Sequence, residues 1–190
     1  MFNERIFSIG ISQYQLDASY VDNEVLCEDI KKSSPDVGMD GTLSVSRKQI
    51  ALDNEYLGRL NDVVFNHSRY IIQGITGNDK INPELQRVWG NHNLNVDICT
   101  PHVHRQSFLS AVYYAKSTDG RIEFHSPWTD NIMSIIPESS IKEYNDFISS
   151  YFTLYPKTGM LFIFPSNLLH YALPSANERI SVVYDIGINI

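Results

Sequence analysis

The stretch PKTGMLFIFPSNLLHYALPSANERISVVY, residues 156–184, indicates the fold more strongly than any other part of the chain. The runs 159–164 and 179–188 are rich in β-branched and aromatic residues, which pack well on a pleated sheet, and both are predicted to be strands. Pro156 and Gly159 are predicted to shape the turn before the first run, and the Pro-Ser-Asn segment at 165–167 ends it. This alternation of apolar runs and turn residues is typical of an antiparallel sheet.

The rest of the chain extends this pattern. Further strands are predicted near 5–16, 93–100, 107–116, 121–125 and 151–155, helices at 22–32, 53–74 and 138–149, and a loop at 33–46. Because most strands lie in the second half and most helices in the first, we predict an α+β, mainly β class, with helices packed against an antiparallel sheet or barrel. The chain is predicted to be a single domain, 1–190, divided into an N-terminal helical and strand support region, 1–92, and a core, 93–190.

Composition narrows the function classes. The 190-residue chain has a formal net charge of −7 and contains no basic run, which disfavours nucleic acid as a partner. No apolar stretch is long enough to predict a membrane span, and MFNERIFSIG lacks the features of a signal peptide. The two cysteines do not form a disulfide framework, so we predict a cytoplasmic protein with reduced thiols. Nothing in the sequence indicates the oligomeric state.

Three histidines are candidate metal ligands. His102 and His104 flank one residue, so in extended structure both imidazoles point to the same face. His170 follows the apolar strand 159–164 and the turn after it, and antiparallel pairing can bring it to the other two. Imidazole is a common ligand for zinc, copper, iron and nickel. The alternative is that each histidine is an ordinary polar residue with its hydrogen bonds satisfied.

Arg179 and Ser181 form a second candidate site. Both lie in one predicted strand, which continues with β-branched and apolar residues, and their side chains point to the same face of that strand. A buried guanidinium requires an anionic partner, and its planar fork matches a carboxylate. The alternative is that Arg179 pairs with a nearby acidic residue such as Asp185.

Several motifs in this half of the chain, taken in order, resemble a known family. They are His102-x-His104, FLSAVYY (108–114), DGRIEF (119–124), PxxGMLFIFPSxLxH (156–170) and Arg179-Ile-Ser181. The set is similar to the 2-oxoglutarate/Fe(II)-dependent oxygenases, and more narrowly to a small subgroup of 2OG-Fe(II) oxygenases from bacteria and their phages. The resemblance covers roughly residues 101–184.

The resemblance implies a double-stranded β-helix, or jelly-roll barrel, with the N-terminal helices packed outside. It also implies Fe(II) as the metal, 2-oxoglutarate as the cosubstrate and O2 as the oxidant. Decarboxylation of 2-oxoglutarate would be coupled to oxidation of a substrate, most simply by hydroxylation. The substrate, a small molecule or a protein side chain, is not identified by the sequence.

The family's site residues can be carried over to matching positions. His102 and His170 match the metal histidines, and Arg179 and Ser181 match the pair that binds the distal carboxylate of 2-oxoglutarate. The Ser110–Tyr114 strand resembles a strand of prolyl hydroxylases whose last tyrosine also reaches the cosubstrate. Ser110 and Tyr114 share a face of this strand by alternation and are therefore further candidate cosubstrate contacts.

One position departs from the family pattern, which has Asp where this chain has His104. Three interpretations remain open. His104 can be the third ligand, which we prefer; it can lie outside the coordination sphere and leave room for water; or a carboxylate elsewhere can contribute. The candidate carboxylates are Asp97, Glu123 and Asp185.

Three other functions compete with this prediction. A three-histidine zinc hydrolase leaves Arg179 and Ser181 unexplained. A cupin-type metal enzyme that does not use 2-oxoglutarate usually has a glutamate soon after His-x-His, and residues 105–111 contain none. The third is a non-catalytic jelly-roll binding module, which would need neither the three histidines nor the arginine.

Overall fold

The computed structural model of the chain describes residues 9–32, 46–50, 55–94, 99–127, 136–143 and 149–189. In these ranges lie two α-helices, α1 (Asn23–Lys32) and α2 (Gly58–Thr76). The strands are β1 (Ser12–Gln15), β2 (Ser46–Ile50), β3 (Asn82–Asn93), β4 (Cys99–His102), β5 (Leu109–Lys116), β6 (Arg121–His125), β7 (Tyr151–Leu154), β8 (Met160–Pro165), β9 (His170–Leu173) and β10 (Arg179–Asn189). Single 3₁₀ turns occur at Glu55–Leu57 and Glu138–Ser140.

The strands form two antiparallel sheets. The large sheet has the order β1-β8-β5-β10-β3-β2, and the small sheet has the order β4-β9-β6-β7. Ile122 and Phe124 of the small sheet pack in one buried cluster with Val112, Phe162 and Val183 of the large sheet. The two sheets therefore face each other as the walls of a jelly-roll barrel, and the predicted fold class is confirmed.

A second cluster covers the other face of the large sheet, where both helices pack. Successive strand residues point to opposite faces, so Val182 and Tyr184 of β10 meet helix residues such as Ile30 and Leu60, while Val183 points into the barrel. Full burial of a leucine or isoleucine side chain contributes about 1.5–3 kcal/mol. Because β10 is buried on both faces, it forms the centre of the molecule.

The helices lie near their predicted positions. Asp22 caps α1, because its Oδ1 accepts hydrogen bonds from the backbone N–H groups of Glu24 and Val25, both at 3.1 Å. Helix α2 packs outside the barrel as predicted, but it begins at Gly58, after a 3₁₀ turn, rather than at residue 53.

The turn before β8 is built as the sequence indicated. Gly159 has a φ of +86°, in the left-handed region that side chains with a Cβ rarely adopt. Its N–H donates to the carbonyl of Tyr114 at 2.8 Å, and the N–H of Leu16 donates to its carbonyl at 2.9 Å. This turn therefore joins β8 to β5 and to the segment that follows β1.

Three strands, β2, β3 and β9, were not predicted. β3 contains Pro83, Gly90 and several asparagines, residues that are depleted in strands, and its pairing with β10 overrides their weak propensity. β9 has only four residues and begins at His170, directly after a turn. Because β1, β2 and β3 lie in the same sheet as β5, β8 and β10, residues before 93 contribute strands to the barrel, and the division at residue 93 stays a prediction.

Other predictions fall partly outside the described residues. Of the predicted helix 138–149, the structure has the 3₁₀ turn at its start, no helix in 141–143, and residues 144–148 outside the described ranges. Residues 95–98 of the predicted strand 93–100, most of the predicted loop 33–46, and residues 5–8 of the strand predicted at 5–16 also lie outside them.

In the described part of the chain, neither α-helix is both long and apolar enough to cross a membrane.

Candidate metal and anion site

Three histidines come together inside the barrel. His102 ends β4 and is paired directly opposite His170, the first residue of β9, while His104 follows two residues after β4. One potential ligand atom of each residue lies within 4.8 Å of the others. The ring centroid of His170 is 4.4 Å from that of His102 and 5.3 Å from that of His104. The predicted convergence of the three imidazoles is therefore observed.

The Nδ1 atom of each ring faces an oxygen. The Nδ1 atoms of His102 and His170 each lie 2.8 Å from a backbone carbonyl, those of Thr100 and Leu168 respectively. His104 Nδ1 lies 2.5 Å from the Asp185 carboxylate. Carbonyl and carboxylate oxygens only accept hydrogen bonds, so Nδ1–H donates in all three rings and the lone pair is on Nε2. This tautomer leaves Nε2 of each ring free to bind a metal, with the other ring nitrogen held by a hydrogen bond.

The cluster lies in apolar surroundings. Phe164 packs edge-on against His170 with ring centroids 4.8 Å apart, and Trp89 stacks on His104 at 5.6 Å. Burial, reinforced by the neighbouring His102 and His104, lowers the pKa of His170 to about 3. His170 is therefore neutral at physiological pH and can donate its lone pair. His104 Nε2 is buried and has no hydrogen-bond partner in the part of the chain that the structure describes.

Of the candidate carboxylates, Asp185 and Glu123 lie in the described residues, and neither belongs to the histidine cluster. Asp185 is fully buried and contacts the far side of His104, while its other oxygen lies 2.5 Å from Arg87 Nη2. Burial raises the pKa of Asp185, but His104 and Arg87 together lower it below the usual value, so it is ionised. Glu123 accepts a hydrogen bond from Tyr171. It alternates with Ile122 and Phe124, which face inward, and so lies on the outer face of β6; Asp97 is outside the described residues.

Arg179 forms a buried cationic centre near the histidines. Arg179 is the first residue of β10 and is 2% exposed. Nη1 donates to the Leu173 carbonyl at 2.8 Å, whereas Nη2 is buried without a partner among the described residues. A Cβ at Gly120 would lie 3.1 Å from Arg179 Cδ, so a glycine there leaves room for the side chain. Asp185 contacts Arg87 and His104 instead, which rules out the alternative pairing with Arg179.

The histidines and the arginine line one cleft. The cavity volume is about 50 Å³, and part of the cleft is open to solvent. Tyr114 and Ser181, directly opposite each other on β5 and β10, also line it. Burial raises the pKa of the Tyr114 hydroxyl and the charge of Arg179 opposes this, so the tyrosine is a neutral hydrogen-bond donor.

Ser110 is the predicted site residue that the cleft does not include. It shares a face with Tyr114 as expected, but it lies opposite Asp185, farther along β5, and is not among the lining residues. Its Oγ is buried without a partner in the described structure. The cleft ends before this position, which strand alternation alone could not reveal.

Sequence reasoning missed the β3 wall and one thiol of this cleft. Trp89, Asn91 and Asn93 alternate along β3 and line the cleft, and Cys99 lines it from β4. Asn91 Oδ1 is buried without a partner in the described structure. The alternating pattern Trp-x-Asn-x-Asn was the available signal, and it was missed because β3 itself was not predicted.

The remaining histidines lie elsewhere. His92 Nε2 is 2.8 Å from Glu178, and His67 stacks on Tyr14 at 3.8 Å. His125 contacts Tyr171 at 5.5 Å between ring centroids. None of these three histidines belongs to the cluster of His102, His104 and His170.

The lowered pKa of His170 predicts an acid-sensitive metal-free protein. Between about pH 6.5 and pH 3 the unfolded chain binds a proton at His170 and the folded chain does not, so the free energy of unfolding falls as pH falls, by at most about 1.4 kcal/mol per unit. Chemical denaturation with a chelator from about pH 7 to pH 5 measures this dependence.

The variant His170→Gln should show a flatter pH dependence in the same range. His67, whose pKa burial also lowers, contributes a separate share that His67→Gln removes. An unchanged slope in His170→Gln would show that His170 binds a proton equally well in the folded and unfolded states, contrary to its lowered pKa.

Comparison with known proteins agrees with this geometry. Residues 87–185 match the family described as "Putative 2OG-Fe(II) oxygenase". A search of curated proteins finds no significant match.

Many solved structures share the fold. A Pseudomonas putida prolyl-4-hydroxylase is 18% identical, with a TM-score of 0.65 and coverage of 95% of this chain and 93% of that chain. HygX from Streptomyces hygroscopicus, with nickel and 2-oxoglutarate bound, is 7% identical, with a TM-score of 0.62 and coverage of 94% and 83%. SnoN, an α-ketoglutarate-dependent epimerase of nogalamycin biosynthesis, is 13% identical, with a TM-score of 0.65 and coverage of 94% and 76%.

Proposed function

The chain belongs to the 2OG-Fe(II) oxygenase family and is a non-haem oxygenase that uses Fe(II) and 2-oxoglutarate; from that premise we propose that it is a hydroxylase with a three-histidine metal site. In this proposal His102, His104 and His170 bind Fe(II), and Arg179, Ser181 and Tyr114 bind 2-oxoglutarate. Ser110 is not included, because it lies outside the cleft.

One observation carries the proposal: the same cleft contains a buried acceptor nitrogen and a buried donor nitrogen that both lack partners. Within the described residues these are His104 Nε2 and Arg179 Nη2. A buried polar group without a partner costs about 1–3 kcal/mol, and more when it is charged. A cation at the imidazoles and a carboxylate at the guanidinium would satisfy both atoms.

The residues around Arg179 favour a dicarboxylate over a simple anion. Ser181 and Tyr114 place two hydroxyl groups near the guanidinium. One carboxylate of 2-oxoglutarate would bind these groups, and the rest of the molecule would extend toward the metal. Bound Fe(II) supplies the redox chemistry that couples 2-oxoglutarate decarboxylation to O2 consumption, while the chain orients the cosubstrate and shields the site.

The proposal also covers the type of reaction, the class of substrate and the cellular location. The same fold serves a prolyl hydroxylase and an epimerase among the solved structures, so the fold alone does not select the reaction. We propose a small molecule or a protein side chain as substrate, and not a nucleic acid, because the net charge is −7. The proposed location is the cytoplasm, where Cys27 and Cys99 would stay reduced.

An anaerobic titration tests the proposal. Addition of Fe(II) and then 2-oxoglutarate should produce a weak metal-to-ligand charge-transfer absorption band, and admission of O2 should yield succinate. Zn(II) in place of Fe(II) should give neither the band nor succinate, whereas a zinc hydrolase would be active with Zn(II) alone. Metal binding without any response to 2-oxoglutarate would favour a cupin-type enzyme.

Product analysis then separates the two reaction types. A hydroxylase adds one oxygen atom to its substrate for each succinate formed in the productive reaction. An epimerase forms succinate without changing the mass of its substrate and takes two further electrons from an added reductant, and that result would overturn the assignment as a hydroxylase.

A further inference from the structure

The three proposed metal ligands include no carboxylate, but the Asp185 carboxylate contacts Nδ1 of His104, one of the three. We propose that Asp185 acts through His104 as a positioning residue that supplies the negative charge normally brought by a carboxylate ligand, and that Arg87 attenuates this charge. The inference rests on the proposed metal site and goes beyond it by assigning functions to two residues that do not touch the metal.

The geometry links the three residues in series. Asp185 Oδ1 lies 2.5 Å from His104 Nδ1, and Asp185 Oδ2 lies 2.5 Å from Arg87 Nη2. Asp185 and Arg87 are paired across β10 and β3, so the arrangement is fixed by the sheet. The Asp185 side chain is fully buried, whereas Arg87 is 56% exposed.

Burial of the Asp185 carboxylate costs free energy of folding, which suggests that the carboxylate has a role at His104. A carboxylate removed from water requires strong partners, and this one has the imidazole of His104 and a largely exposed arginine. Arg87 Nη2 lies 2.5 Å from Asp185 Oδ2, so the charged partner of the buried carboxylate is a guanidinium that is itself largely exposed. A residue selected only for stability would be better replaced by an apolar side chain of similar volume.

The chemistry follows from the hydrogen bond. A carboxylate that accepts from Nδ1–H fixes the ring orientation and increases electron donation from Nε2 to a metal. Three neutral imidazoles bring no charge, while two imidazoles and one carboxylate bring a single negative charge. Asp185 restores that charge one ring away from the metal, and this leaves His104 as a ligand where the related pattern has Asp.

Metal affinities of two variants test the inference with opposite expected signs. In Asp185→Asn the side chain keeps its size and loses its charge, and Co(II) or Zn(II) affinity measured by calorimetry should fall about ten- to a hundredfold. In Arg87→Gln the attenuating charge is removed, and affinity should rise about two- to fivefold. A residue that only supports packing would not produce a gain from Arg87→Gln.

A double variant and a packing control complete the experiment. In Asp185→Asn/Arg87→Gln the gain from the second substitution should disappear, because Arg87 acts only through the Asp185 charge. Ser110→Ala, a buried change directly opposite Asp185 on β5, should leave metal affinity unchanged. Thermal unfolding of each metal-free variant separates loss of stability from loss of affinity.

The outcomes are distinct. The inference is overturned if both single variants weaken metal binding, or if Asp185→Asn lowers only the unfolding temperature of the metal-free protein. If Asp185→Asn does not fold, the sign of the Arg87→Gln effect still decides, because no gain would contradict the inference. Failure of the unaltered protein to bind Co(II), Zn(II) or Fe(II) would instead contradict the three-histidine site itself.

Discussion

Replacement of His170 by alanine is expected to abolish metal-dependent turnover of 2-oxoglutarate and to leave the barrel folded. Apparent binding energies of structural zinc sites with four ligands are about 10–16 kcal/mol, so one ligand contributes about 3 kcal/mol, which is more than a hundredfold in affinity. His170 is 4% exposed and its Nδ1–H is already bonded to the Leu168 carbonyl, so Nε2 is the nitrogen left to bind a metal. Calorimetric titration with Fe(II) or Co(II) under anaerobic conditions measures the loss.

A histidine outside the cluster provides the control. His125 lies on β6 of the same small sheet and contacts Tyr171 instead of the cluster. His125→Ala should retain metal binding, and circular dichroism of both variants should match that of the unaltered protein. Metal binding by His170→Ala at normal affinity would remove the basis for the whole site.

Replacement of Arg179 by alanine is expected to raise the apparent requirement for 2-oxoglutarate by roughly ten- to a hundredfold. A hydrogen bond to a charged group contributes about 1.5–3 kcal/mol, and about 1.4 kcal/mol corresponds to one decade. Arg179→Lys should restore little, because an ammonium group cannot reproduce the two parallel hydrogen bonds of a guanidinium. The assay is succinate formation as a function of 2-oxoglutarate concentration at saturating Fe(II).

Metal binding distinguishes this effect from general damage. Arg179 is not one of the proposed metal ligands, so its variants should bind Fe(II) or Co(II) with unchanged affinity. Arg121→Ala, at an exposed arginine of β6, is the matched control and should leave both parameters unchanged. If Arg179→Ala leaves the dependence on 2-oxoglutarate concentration unaltered, the cosubstrate site is wrong and a cupin-type enzyme or a zinc hydrolase becomes the better assignment.

The parts of the fold that could be predicted from the sequence are those whose residues agree with their local structure. β5, β8 and β10 are rich in β-branched and aromatic side chains, and Asp22 is a strong helix cap, so these elements were predicted close to their observed positions. β3 could not be predicted in the same way. It forms because β10 pairs with it along its full length, and that contact is invisible in the local sequence.

The candidate site shows the same division. The convergence of His102 and His104 was predicted from extended structure, but β4 ends at His102 and His104 lies beyond it. The ring reaches the cluster because its backbone N–H donates to the Ser166 carbonyl at 2.8 Å and its Nδ1 is bonded to Asp185. These are contacts between segments far apart in sequence, so a local pattern indicated the right residues for an incomplete reason.

β10 has one more consequence, which concerns insertions and deletions. Arg179, Ser181, Val183 and Asp185 occupy alternate positions on its inner face and span about 20 Å at the rise of an antiparallel strand. Deleting or inserting one residue between Arg179 and Asp185 would turn either the guanidinium or the carboxylate toward the helices on the opposite face. In homologues that keep both groups, this segment should therefore tolerate exchanges among apolar residues at Ile180 and Val182 while keeping its length constant.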